Sequence, residues 1–108
     1  MILSVFERAV LMNVLPKEGN FTNLKALRVL KENLSLSEDE NKIYQPQIIE
    51  GKFFWKTQDD EGNPIPQNKE IEIGEIVTEL IKKTLKNLNS QNKLKEEHIS
   101  LYEKFIED

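Results

Sequence analysis

Residues 47–56 read QIIEGKFFWK, and this stretch decides how the chain is expected to fold. It is rich in β-branched and aromatic residues, which favour extended backbone. Successive side chains of a strand point to opposite faces, so Phe53 and Trp55 are predicted on one face and Phe54 on the other. The stretch therefore predicts a strand that carries aromatic side chains on both of its faces.

A second alternating segment lies at residues 70–73, which read EIEI. This pattern predicts a short strand with one apolar face. Residues 57–68, between the two strands, contain Gly62, Pro64 and Pro66, which are typical of a loop. We therefore expect the two strands to pair as an antiparallel β-hairpin at the centre of the chain.

Helices are predicted on both sides of this hairpin. Ser4 and Glu7 have the spacing of a capping box, and so do Ser37 and Glu40. Apolar residues one turn apart predict the other helices, and the five expected helical segments are 4–15, 23–33, 37–44, 75–89 and 94–106. The order predicts a single α+β domain over residues 1–108, with N-terminal helices, a central antiparallel β-hairpin and two C-terminal helices packed on one face.

The charge of the chain is concentrated in its middle third. The 108 residues carry a net charge of −4, and residues 37–75 hold four basic and ten acidic side chains. An acidic surface opposes binding to the phosphates of nucleic acids or to anionic membranes. No apolar run reaches the roughly 18 residues that a membrane span needs, and cysteine is absent, which fits a reducing compartment. We therefore expect a cytoplasmic protein that binds neither nucleic acid nor membrane directly.

Motifs for catalysis and for metal binding are missing from the sequence. The four glycines are scattered and form no phosphate-binding loop. His98 is the only histidine, so it lacks the second His or Cys ligand of a common zinc site. The pattern favours a protein that is not an enzyme, with no catalytic residues, no metal site and no cofactor.

Two neighbouring features predict a surface for a protein partner. Exposed aromatic side chains are favoured at the centres of protein interfaces, and the adjacent acidic run is suited to attracting a basic surface. The predicted contact residues are Phe54, Trp55, Asp59, Asp60 and Glu61. A protein partner is the leading hypothesis.

Two alternatives stay open. The first is a site for a small anionic ligand such as a nucleotide signal, because lysine and arginine donate hydrogen bonds to phosphate. The residues available for it are Lys25, Arg28 and Lys31 on the second helix and Lys82, Lys83 and Lys86 on the fourth. The second alternative is a structural or assembly role as a homo-oligomer, which the almost entirely apolar first helix suggests.

Three stretches of the chain resemble a group of small bacteriophage and prophage proteins of uncharacterised function. The first runs from Leu11 to Lys25, the second from Lys69 to Glu75 and the third from His98 to Phe105, and together they cover about a third of the chain. They are packing and turn patterns, so the resemblance transfers no catalytic residue. It implies a viral or prophage setting, in which small acidic proteins often bind host factors. The resulting expectation is a non-enzymatic protein that binds a host or phage protein, for example as an inhibitor of a host defence factor.

Overall fold

The computed structural model describes residues 1–107 and confirms the predicted α+β fold. Its helices are α1 (Val5–Val14), α2 (Phe21–Leu34), α3 (Glu38–Tyr44), α4 (Glu75–Ser90) and α5 (Ile99–Tyr102). Its strands are β1 (Ile2–Ser4), β2 (Gln47–Ile49), β3 (Lys52–Phe54) and β4 (Asn68–Glu70). The strands form two separate antiparallel sheets, in which β1 pairs with β4 and β2 pairs with β3.

Local capping signals set the starts of the N-terminal helices. Both predicted capping boxes are present, with Ser4 and Glu7 at the start of α1 and Ser37 and Glu40 at the start of α3. The Asn20 side chain accepts a hydrogen bond from a backbone amide of the first turn of α2, so this helix begins two residues before the predicted position.

The predicted strand pairing is wrong. Residues 47–56 do not form one strand, because the chain reverses at Glu50 and Gly51, whose φ angles are 52° and 77°. The hairpin is therefore formed within this stretch, with Ile48 opposite Phe53. The strand near residue 70 pairs with the N-terminal strand instead, with Leu3 opposite Lys69.

β4 pairs with the N-terminal strand and not with the hairpin, and Leu3 of the N-terminal strand is completely buried. Its start is also fastened: the Met1 ammonium group donates hydrogen bonds to Glu70 Oε1 at 2.8 Å and to the Ile71 carbonyl at 3.0 Å. A three-residue strand is too short to show an alternating pattern, so it leaves no local signal in the sequence.

The hydrophobic core lies between α1, α2, α4 and the C-terminal segment. Leu11, Ile81, Leu85 and Leu101 are fully buried there. The prediction that the last helix runs without interruption from 94 to 106 is wrong. A 3₁₀ turn at Glu96–His98 precedes α5, and a π-helical segment at Glu103–Glu107 follows it.

No helix within residues 1–107 has the length and apolarity that a membrane crossing requires.

Candidate functional site

An aromatic stack attaches the β2–β3 hairpin to the rest of the protein. The Trp55 ring stacks with Phe53 and with Phe6, with ring centroids 5.3 Å and 6.1 Å away. The Trp55 Nε1–H group donates a hydrogen bond of 2.6 Å to Gln67 Oε1. Offset rings at these separations attract one another, and buried indole groups usually find an acceptor. Phe6 comes from α1, so the stack connects the hairpin to the first helix of the core.

Tyr44 connects α3 both to the base of the hairpin and to the loop before β4. The Lys56 amide donates to the Tyr44 carbonyl at 2.7 Å, and the Tyr44 hydroxyl donates to the Pro66 carbonyl at 2.6 Å. Tyr44 is buried and ends α3. The hydrogen bond from Lys56 thus joins the residues just after β3 to the end of α3.

The hairpin presents apolar side chains to solvent on both of its faces. Ile48 is 76% exposed, Ile49 is 51% exposed and Phe54 is 49% exposed. Ile48 lies on the same face as Phe53, and the other two lie on the opposite face, because directly paired residues share a face and successive residues alternate. We call these three residues, Ile48, Ile49 and Phe54, the hairpin surface. Exposed apolar residues that project from one short element are often found at protein interaction sites.

The acidic run after β3 is a tight turn. One carboxylate oxygen of Asp59 accepts hydrogen bonds from the backbone amides of Glu61 and Asn63, each at 2.9 Å. Gly62 has a φ of 83°, which an L-residue with a side chain rarely adopts. The position and bonds of Asp59 show that it shapes this turn.

The next carboxylate of the turn is paired with a lysine. The Lys56 ammonium group lies 2.8 Å from Asp60 Oδ1. This hydrogen bond and the positive charge beside it lower the pKa of Asp60 from its ordinary value. The Asp60 side chain remains 93% exposed, so both it and Glu61 stay accessible to a partner.

The structure gives the five predicted contact residues different positions. Phe54, Asp60 and Glu61 are exposed, whereas Trp55 is partly buried in the aromatic stack and Asp59 is engaged by the turn. The sequence prediction did not include Ile48 and Ile49, which share the hairpin surface with Phe54. The signal that would have found them is the Glu50-Gly51 pair, since a Gly after a polar residue favours a two-residue hairpin turn.

The six basic residues proposed for an anionic ligand stand on outer helix surfaces. Arg28 and Lys83 are exposed, and Lys82 lies 3.9 Å from Glu79 Oε1. Lys25 lines a groove between α2 and α4.

Two largely buried carboxylates join distant parts of the fold, and the first is Glu40. Its Oε2 accepts a hydrogen bond of 2.7 Å from Arg8, which is 2% exposed, and its other oxygen lies 3.3 Å from Lys69 Nζ. The Arg8 guanidinium outweighs the cost of burial and lowers the pKa of Glu40 to about 2. Arg8 also donates to the Leu34 and Ser35 carbonyls at the end of α2. This cluster connects three helices, and its polar atoms are occupied by one another.

Glu7 forms the second buried pair. Burial alone raises the pKa of Glu7, but hydrogen bonds from Lys104 Nζ and the Ser4 amide outweigh it, and the pKa falls below its ordinary value. Lys104 Nζ lies 2.7 Å from Glu7 Oε1 and also donates to the Ile2 carbonyl. The pair fastens the C-terminal segment to the start of α1.

His98 is buried and its role is local. Its Nδ1 accepts a hydrogen bond of 3.0 Å from the Lys95 amide, which places the ring proton on Nε2. Within residues 1–107, no three His, Asp or Glu side chains are grouped closely enough to hold a metal ion.

Comparison of the chain with protein-family models, with curated proteins and with solved structures gives no match.

Proposed function

We propose that this chain is a non-enzymatic protein of bacteriophage type that binds a host or phage protein through the hairpin surface. The observation that carries the proposal is the exposure of Ile48, Ile49 and Phe54 on a hairpin whose base is held by hydrogen bonds and stacked rings. Burial of these side chains against a partner would favour association by about 25 cal/mol per Å² of apolar surface removed from water.

The exposed carboxylates beside the hairpin define the chemistry of the partner. Asp60 and Glu61 follow soon after β3, and Glu50 stands at the tip of the hairpin. Opposite charges around an apolar centre steer association and select the partner. The partner should therefore present an apolar patch surrounded by lysine or arginine. A host defence factor is the class of target that we would examine first.

The first experiment is affinity capture of the tagged chain from a bacterial lysate, with the complexes read by native mass spectrometry. The proposal expects a stoichiometric protein partner bound to the chain of 12.6 kDa. A mass increase of a few hundred daltons without a protein would instead favour the alternative of a small anionic ligand.

Thermal melting against a nucleotide panel addresses that alternative separately. A ligand that binds only the folded chain raises the melting temperature as its occupancy increases. The present proposal expects no change with any nucleotide. A specific, concentration-dependent rise that Lys25→Ala abolishes would contradict it.

A further inference from the structure

A second apolar surface lies on α2, outside its row of buried leucines. Phe21 is 78% exposed, Val29 is 53% exposed and Ile76, from the first turn of α4, is 47% exposed. They line a groove between the two helices, which we call the α2–α4 groove. Its apolar lining is Phe21, Ala26, Val29, Leu30, Ile76 and Val77.

The groove consists of two adjoining cavities that share lining residues, and we call the smaller cavity the narrow part and the larger cavity the wide part. The narrow part encloses about 400 Å³ beside Phe21, and the wide part encloses about 530 Å³ beside Asn33 and Gly74. Ala26, Val29 and Ile76 line both parts. The distance along α2 from Phe21 to Asn33 is about 18 Å at a rise of about 1.5 Å per residue. A helix of about three to four turns would fill this length.

The two ends of the groove carry opposite charges. Lys25 lines the narrow end, where Phe21 stands. Glu72 and Glu75 line the wide end. Neither Lys25 nor Glu72 forms a side-chain ion pair with another residue of the described chain. These charges are thus available to a partner.

We propose that the α2–α4 groove binds a second copy of this chain in a two-fold symmetric dimer. We take the two-fold axis to be perpendicular to α2, so that the two α2 helices run antiparallel and each contact occurs twice. The antiparallel arrangement places Phe21 of each copy over the wide cavity of the other. It also places Lys25 of each copy beside Glu72 of the other. The groove is therefore complementary to itself in charge, which favours a second copy over an unrelated helix. This dimer uses none of the residues of the hairpin surface, so it does not depend on the proposed function.

Sedimentation equilibrium of the purified chain tests the dimer directly. The expected result is a mass of twice 12.6 kDa that falls to one chain on dilution. Phe21→Ser and Val29→Ser should each raise the dissociation constant at least about tenfold, because each removes apolar contact at the interface. The matched control is Ile99→Ser, which removes an isoleucine that is 54% exposed and lies outside the groove. A chain that stays monomeric at every concentration would overturn the proposal and would leave another protein as the occupant of the groove.

A charge exchange tests the register of the two copies. In a homodimer of Lys25→Glu, two glutamates face each other at both contacts, and in a homodimer of Glu72→Lys, two lysines do. Each variant should therefore be monomeric at concentrations where the parent chain is dimeric. In a mixture of the two variants, the introduced glutamate of one copy meets the introduced lysine of the other. The second contact of that mixed dimer keeps the original Lys25 with the original Glu72, so the mixture should form a heterodimer.

The control for the charge exchange is Lys86→Glu mixed with Glu72→Lys, because Lys86 is exposed and lines neither part of the groove. In the control mixture the Lys86→Glu copies should pair with one another and leave Glu72→Lys monomeric. Failure of the first mixture to form heterodimers, or equal heterodimer formation in the control mixture, would overturn the proposed arrangement. Circular dichroism of every variant confirms that its helices are intact.

Discussion

Arg8 Nη1 lies 2.7 Å from Glu40 Oε2 and joins the first helix to the third at a position where the arginine is almost completely buried. Replacing Glu40 by Gln leaves this arginine without its counter-charge. Removing one partner of a buried ion pair costs more than the pair itself contributes, because an uncompensated charge remains in the interior. We expect Glu40→Gln to lower the free energy of unfolding by about 2–4 kcal/mol in urea denaturation.

The matched control for that substitution is Glu38→Gln. Glu38 stands in the first turn of the same helix and is exposed. It contributes mainly through the helix dipole, so its replacement should cost less than about 1 kcal/mol. An equal decrease in the free energy of unfolding in the two variants would contradict a stabilising role for the contact between Arg8 and Glu40.

The same carboxylate should make the stability of the fold depend on pH. The pKa of Glu40 falls from 4.5 to about 2 in the folded chain. A lowered folded pKa stabilises the fold above pH 4.5, and this contribution is lost as the pH falls toward 2. It amounts to about 3 kcal/mol, from about 1.36 kcal/mol per unit of pKa. Urea denaturation between about pH 5 and pH 2 should therefore show a decline that is clearly shallower in Glu40→Gln. Parallel curves for the two proteins would contradict this assignment.

Trp55 provides a fluorescent report on the base of the hairpin, because it is the only tryptophan. Phe6→Ala removes one ring of the stack, and Gln67→Ala removes the acceptor of the indole N–H group. Both variants should shift the Trp55 emission to longer wavelength, since water reaches the indole ring. The loss of the ring pair should lower the free energy of unfolding by about 1 kcal/mol.

Gln58→Ala serves as the control for this fluorescence measurement. Gln58 is exposed and follows the hairpin without forming a side-chain hydrogen bond within residues 1–107. The emission of this variant should match that of the parent chain. An unchanged spectrum in Phe6→Ala and Gln67→Ala would mean that the aromatic stack does not hold the hairpin.

The tip of the hairpin should accept a stabilising substitution. Glu50 has a φ of 52°, in the left-handed region that asparagine tolerates better than glutamate. Glu50→Asn should stabilise the hairpin by about 0.5 kcal/mol, because it relieves backbone strain without adding a contact. Amide hydrogen exchange in β2 and β3 should slow by about twofold, with no change in α4.

Gly51→Ala should have the opposite effect on the hairpin. Gly51 has a φ of 77°, which strains any residue with a side chain, and a methyl group there meets no atom within 4 Å that could compensate. Amide exchange in β2 and β3 should therefore become faster in this variant. Faster exchange in Glu50→Asn as well would contradict the explanation.

The capping boxes and the amphipathic helix α4 could be predicted because their signals are local. Ser4 and Glu7 are three residues apart, and so are Ser37 and Glu40. The strand pairing could not be predicted in this way. Residues 3 and 69 face each other across the sheet but are separated by most of the chain, and the first strand has only three residues. In addition, the aromatic run at 53–55 obscured the turn signal at 50–51.

The candidate surface was only partly predictable for a related reason. The aromatic run identified Phe54, but exposure depends on what the rest of the fold covers. Trp55 is also apolar but is partly buried, because Phe6 of α1 stacks against its ring. By contrast, the spacing of Leu27, Leu30 and Leu34 at about one turn in the sequence separates them from Val29, and these leucines are buried while Val29 is exposed.

The proposed protein-binding function is tested most directly by quantitative capture with a hairpin variant. The variant carries Ile48→Ser and Phe54→Ser, which remove one exposed apolar side chain from each face of the hairpin while leaving Trp55 and its stack in place. The control carries Ile99→Ser and Ile43→Ser, because both residues are similarly exposed and lie outside the hairpin surface.

Proteins retained from a bacterial lysate are quantified by mass spectrometry for the parent chain, the hairpin variant and the control. We expect one protein to be enriched with the parent chain and the control and to be reduced at least about tenfold with the hairpin variant, since each substitution removes apolar contact area. Retention of that protein at an equal level by the folded hairpin variant would contradict the proposed function of the hairpin surface.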